Sequence, residues 1–196
     1  MRGYHSGGVH ATDATTEQGC SGMTFLRSGL TTALVALLAL GSFGGTASAQ
    51  QMQNLGTFKN WTAWKGTDAN GEMCYISAAP TGSEPAGVKR SPIHFLIIHR
   101  KGLGTKNEVQ TLIGYPFSSG EANASAAIDG KAYVMMTEGE AAWLASAEDE
   151  GSFVAAMKAG TKLTVKGTSQ RGTNTTDTYD LGGVTAAMGE IDKACA

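Results

Sequence analysis

The chain has 196 residues, with 15 basic and 17 acidic side chains and a net charge of −2. That balance provides neither the basic footprint of a nucleic-acid-binding domain nor a strongly acidic tail. Four histidines are present in all, so metal chemistry built on histidine starts with little material.

Residues 1–22, "MRGYHSGGVHATDATTEQGCSG", have no hydrophobic period and no charge pattern. Met23 then opens a different segment: Arg27 precedes an apolar run from Leu30 to Leu40, followed by small residues ending Ala47-Ser48-Ala49. A basic residue, a short apolar stretch and small residues in that order make a secretory signal peptide over 23–49, with cleavage expected between Ala49 and Gln50. The apolar run is too short to serve as a membrane anchor, which needs roughly 20 residues. Translation is expected to start at Met23, leaving 1–22 as a misassigned extension. The leader carries Arg2, Arg27, Asp13 and Glu17, two of each sign, so the remaining chain keeps its balance of −2. Residues 50–196 are expected to form a single domain, long enough to bury about two-thirds of its surface.

Within that domain, "QQMQNLGTFKNWTAWK" from Gln50 to Lys65 opens polar and becomes a strand carrying Phe58, Trp61 and Trp64. Asn70-Gly71 is a favoured hairpin turn into the strand "GEMCYISA". A Pro/Gly-containing loop, "APTGSEPAGVKRSP", leads to "IHFLIIH", a strongly apolar run suited to a central strand. "EVQTLIGYPF" places Val109, Thr111, Ile113 and Tyr115 on one side of a half-buried strand. Asp129-Gly130 marks a second hairpin, joining Ala124–Ile128 to "KAYVMM". "AEDEGSFVAAMKAG" predicts a short helix, with acidic residues at its start, Lys158 near its end and Gly160 to close it. "TKLTVKG" and "TTDTYDL" alternate as two more strands, and Val184, Met188, Ile191 and Cys195 recur at the spacing of one helix face. About seven strands and two short helices imply a mostly β domain, a sandwich or flattened barrel.

Sites of chemistry are sparse. His94 and His99 are five apart on one strand, so they face opposite ways and cannot share a metal. "GLGTKN" from Gly102 has Asn107 where a dinucleotide fingerprint needs its third glycine, and no Gly-x-Ser-x-Gly elbow occurs. Glu148, Asp149 and Glu150 are explained by the helix start, and Trp61, Trp64 and Trp143 by core packing before a sugar or lipid site. Lys89 and Arg90 precede the central strand while Arg100 and Lys101 follow it, so they do not form one patch. Thr173, Thr175, Thr176 and Thr178 are expected on an exposed strand face. No cofactor and no catalytic residue is nominated.

Once Cys20 leaves with the leader, Cys74 and Cys195 remain, and an even count in an exported chain favours one disulfide between them. Two free buried thiols are the plain alternative; a redox pair lacks the usual close spacing.

The succession "NWTAW", "MCYIS", "IHFLIIHR", "GYPF" and the closing block "AAMKAGTKLTVKGTSQRGTNTTDTYDLGGVTAAMGEIDKAC" resembles the invasion-associated locus B family of exported Gram-negative proteins, from Phe58 to Cys195. The resemblance implies a small β-rich protein with a structural disulfide at Cys74 and Cys195 and no established catalytic residues. The expectation is a periplasmic or secreted protein, in some cases associated with the outer membrane, with no transmembrane segment after cleavage. It is expected to act without catalysis by binding an envelope protein, or a host protein where the source is a pathogen. A small-ligand carrier with an aromatic-lined cavity, or an envelope hydrolase gathering His94 or His99 with a carboxylate in a cleft, are the alternatives.

Overall fold

The computed structural model describes residues 52–120 and 123–195. The expected signal at 23–49, the expected Ala49/Gln50 cleavage site and the expected 1–22 extension lie outside the described residues.

In chain order the strands are β1 (Gln53–Phe58), β2 (Trp61–Asp68), β3 (Gly71–Ala78), β4 (Gly82–Glu84), β5 (His94–Arg100), β6 (Thr105–Leu112), β7 (Ala124–Ile128), β8 (Lys131–Glu138) and β9 (Ala141–Trp143). Helix α1 (Ala147–Ala159), β10 (Lys162–Thr168), β11 (Asn174–Asp180) and helix α2 (Val184–Cys195) complete the chain. The strands form one antiparallel sheet in the order β1-β2-β3-β5-β6-β9-β8-β7-β10-β11-β4. The mostly β class expected from sequence holds, but the described residues form eleven strands rather than about seven. Part of the excess comes from the first strand, which is two: Lys59, at φ 55°, turns the chain between β1 and β2. Strands β4 and β9 add two more, each only three residues long and too short to show an alternating pattern.

Aromatic side chains hold the folded sheet together by linking strands far apart in its order. Trp61 on β2 donates its Nε1–H to the Asp180 carbonyl on β11 at 2.9 Å. Phe95 on β5 meets Tyr179 on β11 edge-on at 5.7 Å and stacks on Phe153 of α1 at 5.8 Å; Tyr133 on β8 meets the same Phe153 at 4.9 Å. The two halves of the sheet therefore share one core, giving a sandwich-like domain. Burying each such ring contributes roughly 1.5–3 kcal/mol relative to leaving it in water.

Local chemistry sets the turns and helix ends. Asp129 and Gly130 have φ of 46° and 94°, the left-handed pair that a two-residue hairpin turn needs, and they join β7 to β8 as expected. In the first hairpin the loop falls one residue earlier than expected: Asp68 pairs with Gly71, and the Asp68 carboxylate accepts the Asn70 N–H at 2.7 Å. That local side-chain bond stabilises the shifted turn. Ser146 caps α1 by accepting the Asp149 N–H at 3.1 Å, ahead of the acidic first turn. Gly160 ends the helix at φ −88°, outside the left-handed region; a side chain there would crowd Ile128 and Asp129.

Helix α2 buries Val184, Ala187, Met188, Ile191 and Cys195, the apolar stripe read from its period, against β1, β2 and β3. Its last residue is bonded to the second hairpin strand through a Cys74–Cys195 disulfide that closes 121 residues of chain. The threonine run departs from expectation. Thr175, Asp177 and Tyr179 point inward and are buried, while Thr176 and Thr178 are only partly exposed.

Candidate functional site

Two buried polar groupings lie at opposite ends of the β5–β6 pair. At one end, His99 is fully buried and faces the core beside its register partner Cys74, while His94 is only half-buried. The Nδ1 atom of His99 accepts the Asn107 N–H at 3.1 Å, which leaves the proton of a neutral ring on Nε2, donated to Asp192 Oδ1 of α2 at 2.9 Å. Lys158 of α1 approaches the other Asp192 oxygen at 3.8 Å. Sequence spacing separates His94 from His99 correctly, and the carboxylate partner of His99 comes from a helix 93 residues away. Both ring nitrogens are occupied and the ring reaches no solvent. A His–carboxylate pair in this state fastens α2 to β5.

At the other end, Arg90 and Asp177 form a bidentate ion pair, Nη1 to Oδ2 at 2.8 Å and Nη2 to Oδ1 at 2.6 Å. The Arg90 side chain is 5% exposed and that of Asp177 is 0% exposed. Asp177 also accepts the Ser83 hydroxyl at 2.6 Å, and Arg90 lies over the Tyr115 ring. Hydrogen bonding to Asp177 raises the Arg90 pKa further, against a smaller opposing effect of burial. Buried ions need this degree of pairing, since an isolated one costs several kcal/mol. The pair ties the loop after β4 to the inner face of β11. The Tyr115 hydroxyl bonds Thr175 Oγ1 at 2.7 Å, and burial pushes its phenol up.

Above this pair opens a cleft of about 660 Å³ whose walls include Val88, Lys89, Tyr115, Pro116, Glu140 and Arg171. Backbone bonds lock three segments around it: Ser91 N–H to Gly114 O at 2.9 Å, Gln170 N–H to Pro116 O at 3.0 Å, and Gly172 N–H to Ser169 O at 2.8 Å. Gly114 is required at this wall because its φ is 80° and an added Cβ would collide with the Ser91 carbonyl. The expected separation of the basic residues also holds: Arg100 is at the far end, paired with Asp68 and with Glu108 at 2.9 Å.

The three tryptophans divide. Trp61 is in the core, Trp64 stacks on Tyr75 at 6.4 Å on the outer face, and Trp143 is half-buried on β9. None lines the cleft. The sequence reading missed the cleft because its cations, Lys89 and Arg171, are far apart in the chain. The alternation of Asp177 with Tyr179 was the available signal, since a carboxylate on a buried face requires a cation.

The family model described as "Invasion associated locus B (IalB) protein" matches residues 67–192. The chain belongs to this family. Neither a curated protein nor a solved structure matches the chain. The matched span of this IalB family member includes Cys74, the His99–Asp192 pair and all the cleft residues. It ends three residues before Cys195.

Proposed function

We propose that this protein is exported, forms its disulfide outside the cytosol, and acts in the periplasm or at the envelope by binding a partner without catalysis. Where the source is a pathogen, the partner includes a host-cell protein. The observation that carries this reading is the Cys74–Cys195 bridge, which joins distant segments as a structural disulfide does in an oxidising compartment. The leader's residue pattern points to the same address. The binding part of the reading is supported by the cleft, whose walls are held by backbone bonds before any ligand arrives. In the sole histidine–carboxylate contact among the described residues, His99 with Asp192, the imidazole is fully buried and both its nitrogens are taken by partners.

Cell fractionation combined with cross-linking capture tests both parts. The expected result is oxidised, processed protein in the envelope or medium, recovered repeatedly with the same partner. Protein retained in the cytosol with both thiols free would refute export. Turnover of a cell-wall or small-molecule substrate by the purified protein would refute a purely binding role.

A further inference from the structure

We propose that the cleft above Arg90 is a binding site for a small organic anion. Lys89 and Arg171 hold carboxylate or phosphate oxygens, while Val88 and the Tyr115-Pro116 wall receive the ligand's apolar part. This rests on the binding reading above and adds the place and the ligand chemistry.

Three features converge on an anion. Lys89 and Arg171 are both exposed at the cleft, and neither has an ion-pair partner among the described residues. Lys65, Lys101, Lys158 and Lys193 each stand within ion-pair distance of a carboxylate, whereas Lys59, Lys106, Lys131, Lys162 and Lys166 also lack such a partner among the described residues; what sets Lys89 and Arg171 apart is that both line one cavity. Glu140 is the one carboxylate among the lining residues, so the rim has a positive excess on a chain whose net charge is −2. The local sign is a property of this site and does not follow from a basic protein.

Arg90 has a different part. Its charge is matched by Asp177 directly beneath the cleft, and releasing it to a ligand would strand a fully buried carboxylate. It acts as a positioning residue, fixing the loop that presents Val88 and Lys89. The opposite wall is fixed through the turn after β10, where the Ser169 hydroxyl accepts the Thr173 N–H at 3.1 Å and the bond from Gln170 to Pro116 sets the direction of Arg171. The backbone of both walls is thus held before binding, which lowers the ordering cost to that of the Lys89 and Arg171 side chains.

The space and lining suit a small molecule. A volume of about 660 Å³ lies within the range of roughly 300–1,000 Å³ typical of small-molecule sites. Charged side chains and the apolar Val88 and Tyr115-Pro116 share the lining, so the fitting ligand has an acidic head and an apolar body. Two nearby depressions of about 570 and 420 Å³ differ in kind: the first has Glu138 and no cation in its lining, and the second has Lys166 among hydroxyl and amide groups. Neither pairs two cations with an aromatic wall.

The test is titration of the isotopically labelled, oxidised full-length protein, followed by backbone amide shifts in NMR. The probes are N-acetyl-alanyl-alanine, its neutral C-terminal amide, and butyl phosphate. Saturable shifts at Lys89, Gln170 and Arg171 are expected with at least one anion and not with the amide; which anion binds more tightly identifies the carboxylate or the phosphate source. K89Q and R171Q are each expected to weaken binding by about tenfold or more, the loss usual for a charged hydrogen bond. Raising the salt should weaken it further. Equal shifts with the neutral amide, shifts scattered over the surface, or no shift with either anion would overturn the proposal. So would unchanged affinity in the K89Q/R171Q double variant. If these anion titrations failed while the parent protein still captured its envelope partner, this site assignment would fall and the binding reading would stand.

Discussion

The two ends of the β5–β6 pair solve the same physical problem in different ways. Each buries a titratable or charged side chain, His99 at one end and Asp177 at the other, and each satisfies it with a partner distant in sequence. The His99 end is closed: one nitrogen takes a backbone N–H, the other a carboxylate, and a disulfide lies alongside. At the Asp177 end the same kind of pairing supports an opening with cations at its rim. Buried polar groups therefore do not by themselves identify a site of action. What matters is whether charges without ion-pair partners gather at an opening a ligand can enter, as Lys89 and Arg171 do at the second end.

The comparison breaks most severely at the bridge. Replacing both cysteines, in a C74S/C195S variant, frees the end of α2 and restores loop entropy to the unfolded chain. For a closure of 121 residues the chain-entropy model gives about 5 kcal/mol, and native bridges in small exported domains typically contribute roughly 2–5 kcal/mol. Urea denaturation should show the midpoint falling accordingly. Amide exchange should rise first over α2 and β1 to β3 and least around the cleft. Uniform exchange at both ends would show that the two regions are not separately fastened.

A smaller effect separates the two pairs. Asp177→Ala leaves the Arg90 guanidinium buried without its partner and should cost about 3–5 kcal/mol. Asp192→Ala removes one bond from His99, but the Asp192 side chain is 42% exposed, so water can approach and the cost should be about 1 kcal/mol. Denaturant midpoints of the two variants check the order. An equal loss would mean that the closed end relies on its ion pair as much as the open one does. R90M/D177L should recover much of the Asp177→Ala loss, because replacing both buried ions is far less costly than stranding one.

Much of this fold was legible because its signals are local. The α2 stripe, the Asp129-Gly130 turn and the inward set Val109, Thr111, Ile113 and Tyr115 all follow from periods or pairs within a few residues. The extra strands were not legible, since three residues such as Ala141–Trp143 carry no period and become a strand only by pairing with β6 and β8. The cleft depends on longer range still. Phe117 pairs with Ser169, and Asp177 reaches Arg90 across 87 residues, distances at which composition says nothing about proximity. The threonines of β11 misled for a related reason. Hydroxyls suggested solvent, whereas the parity set by Tyr179 and Leu181 places Thr175 and Asp177 inside.

The smallest effect concerns the junction between the β7–β8 turn and the chain leaving α1, which belongs to neither end and so measures what a surface carboxylate contributes alone. Asp129 accepts the Thr161 N–H at 2.9 Å, the Thr161 hydroxyl at 2.8 Å and the Lys162 N–H at 3.1 Å. The backbone and hydroxyl of Thr161 are the main causes that hold its carboxyl below the usual aspartate range. A carboxylate with a depressed folded pKa stabilises the protein above its unfolded pKa, and that stabilisation is lost as pH falls through the folded value. Asp129→Asn should therefore melt slightly below the parent at neutral pH, with the gap closing as the solution is acidified below the ordinary aspartate pKa. Because the Asn oxygen can still accept one of the N–H bonds, the neutral-pH gap should be smaller than that for Asp192→Ala. Thermal melts of both proteins across the acid range measure it, and a gap that widened on acidification would show that the charged form of Asp129 is not the one these bonds stabilise.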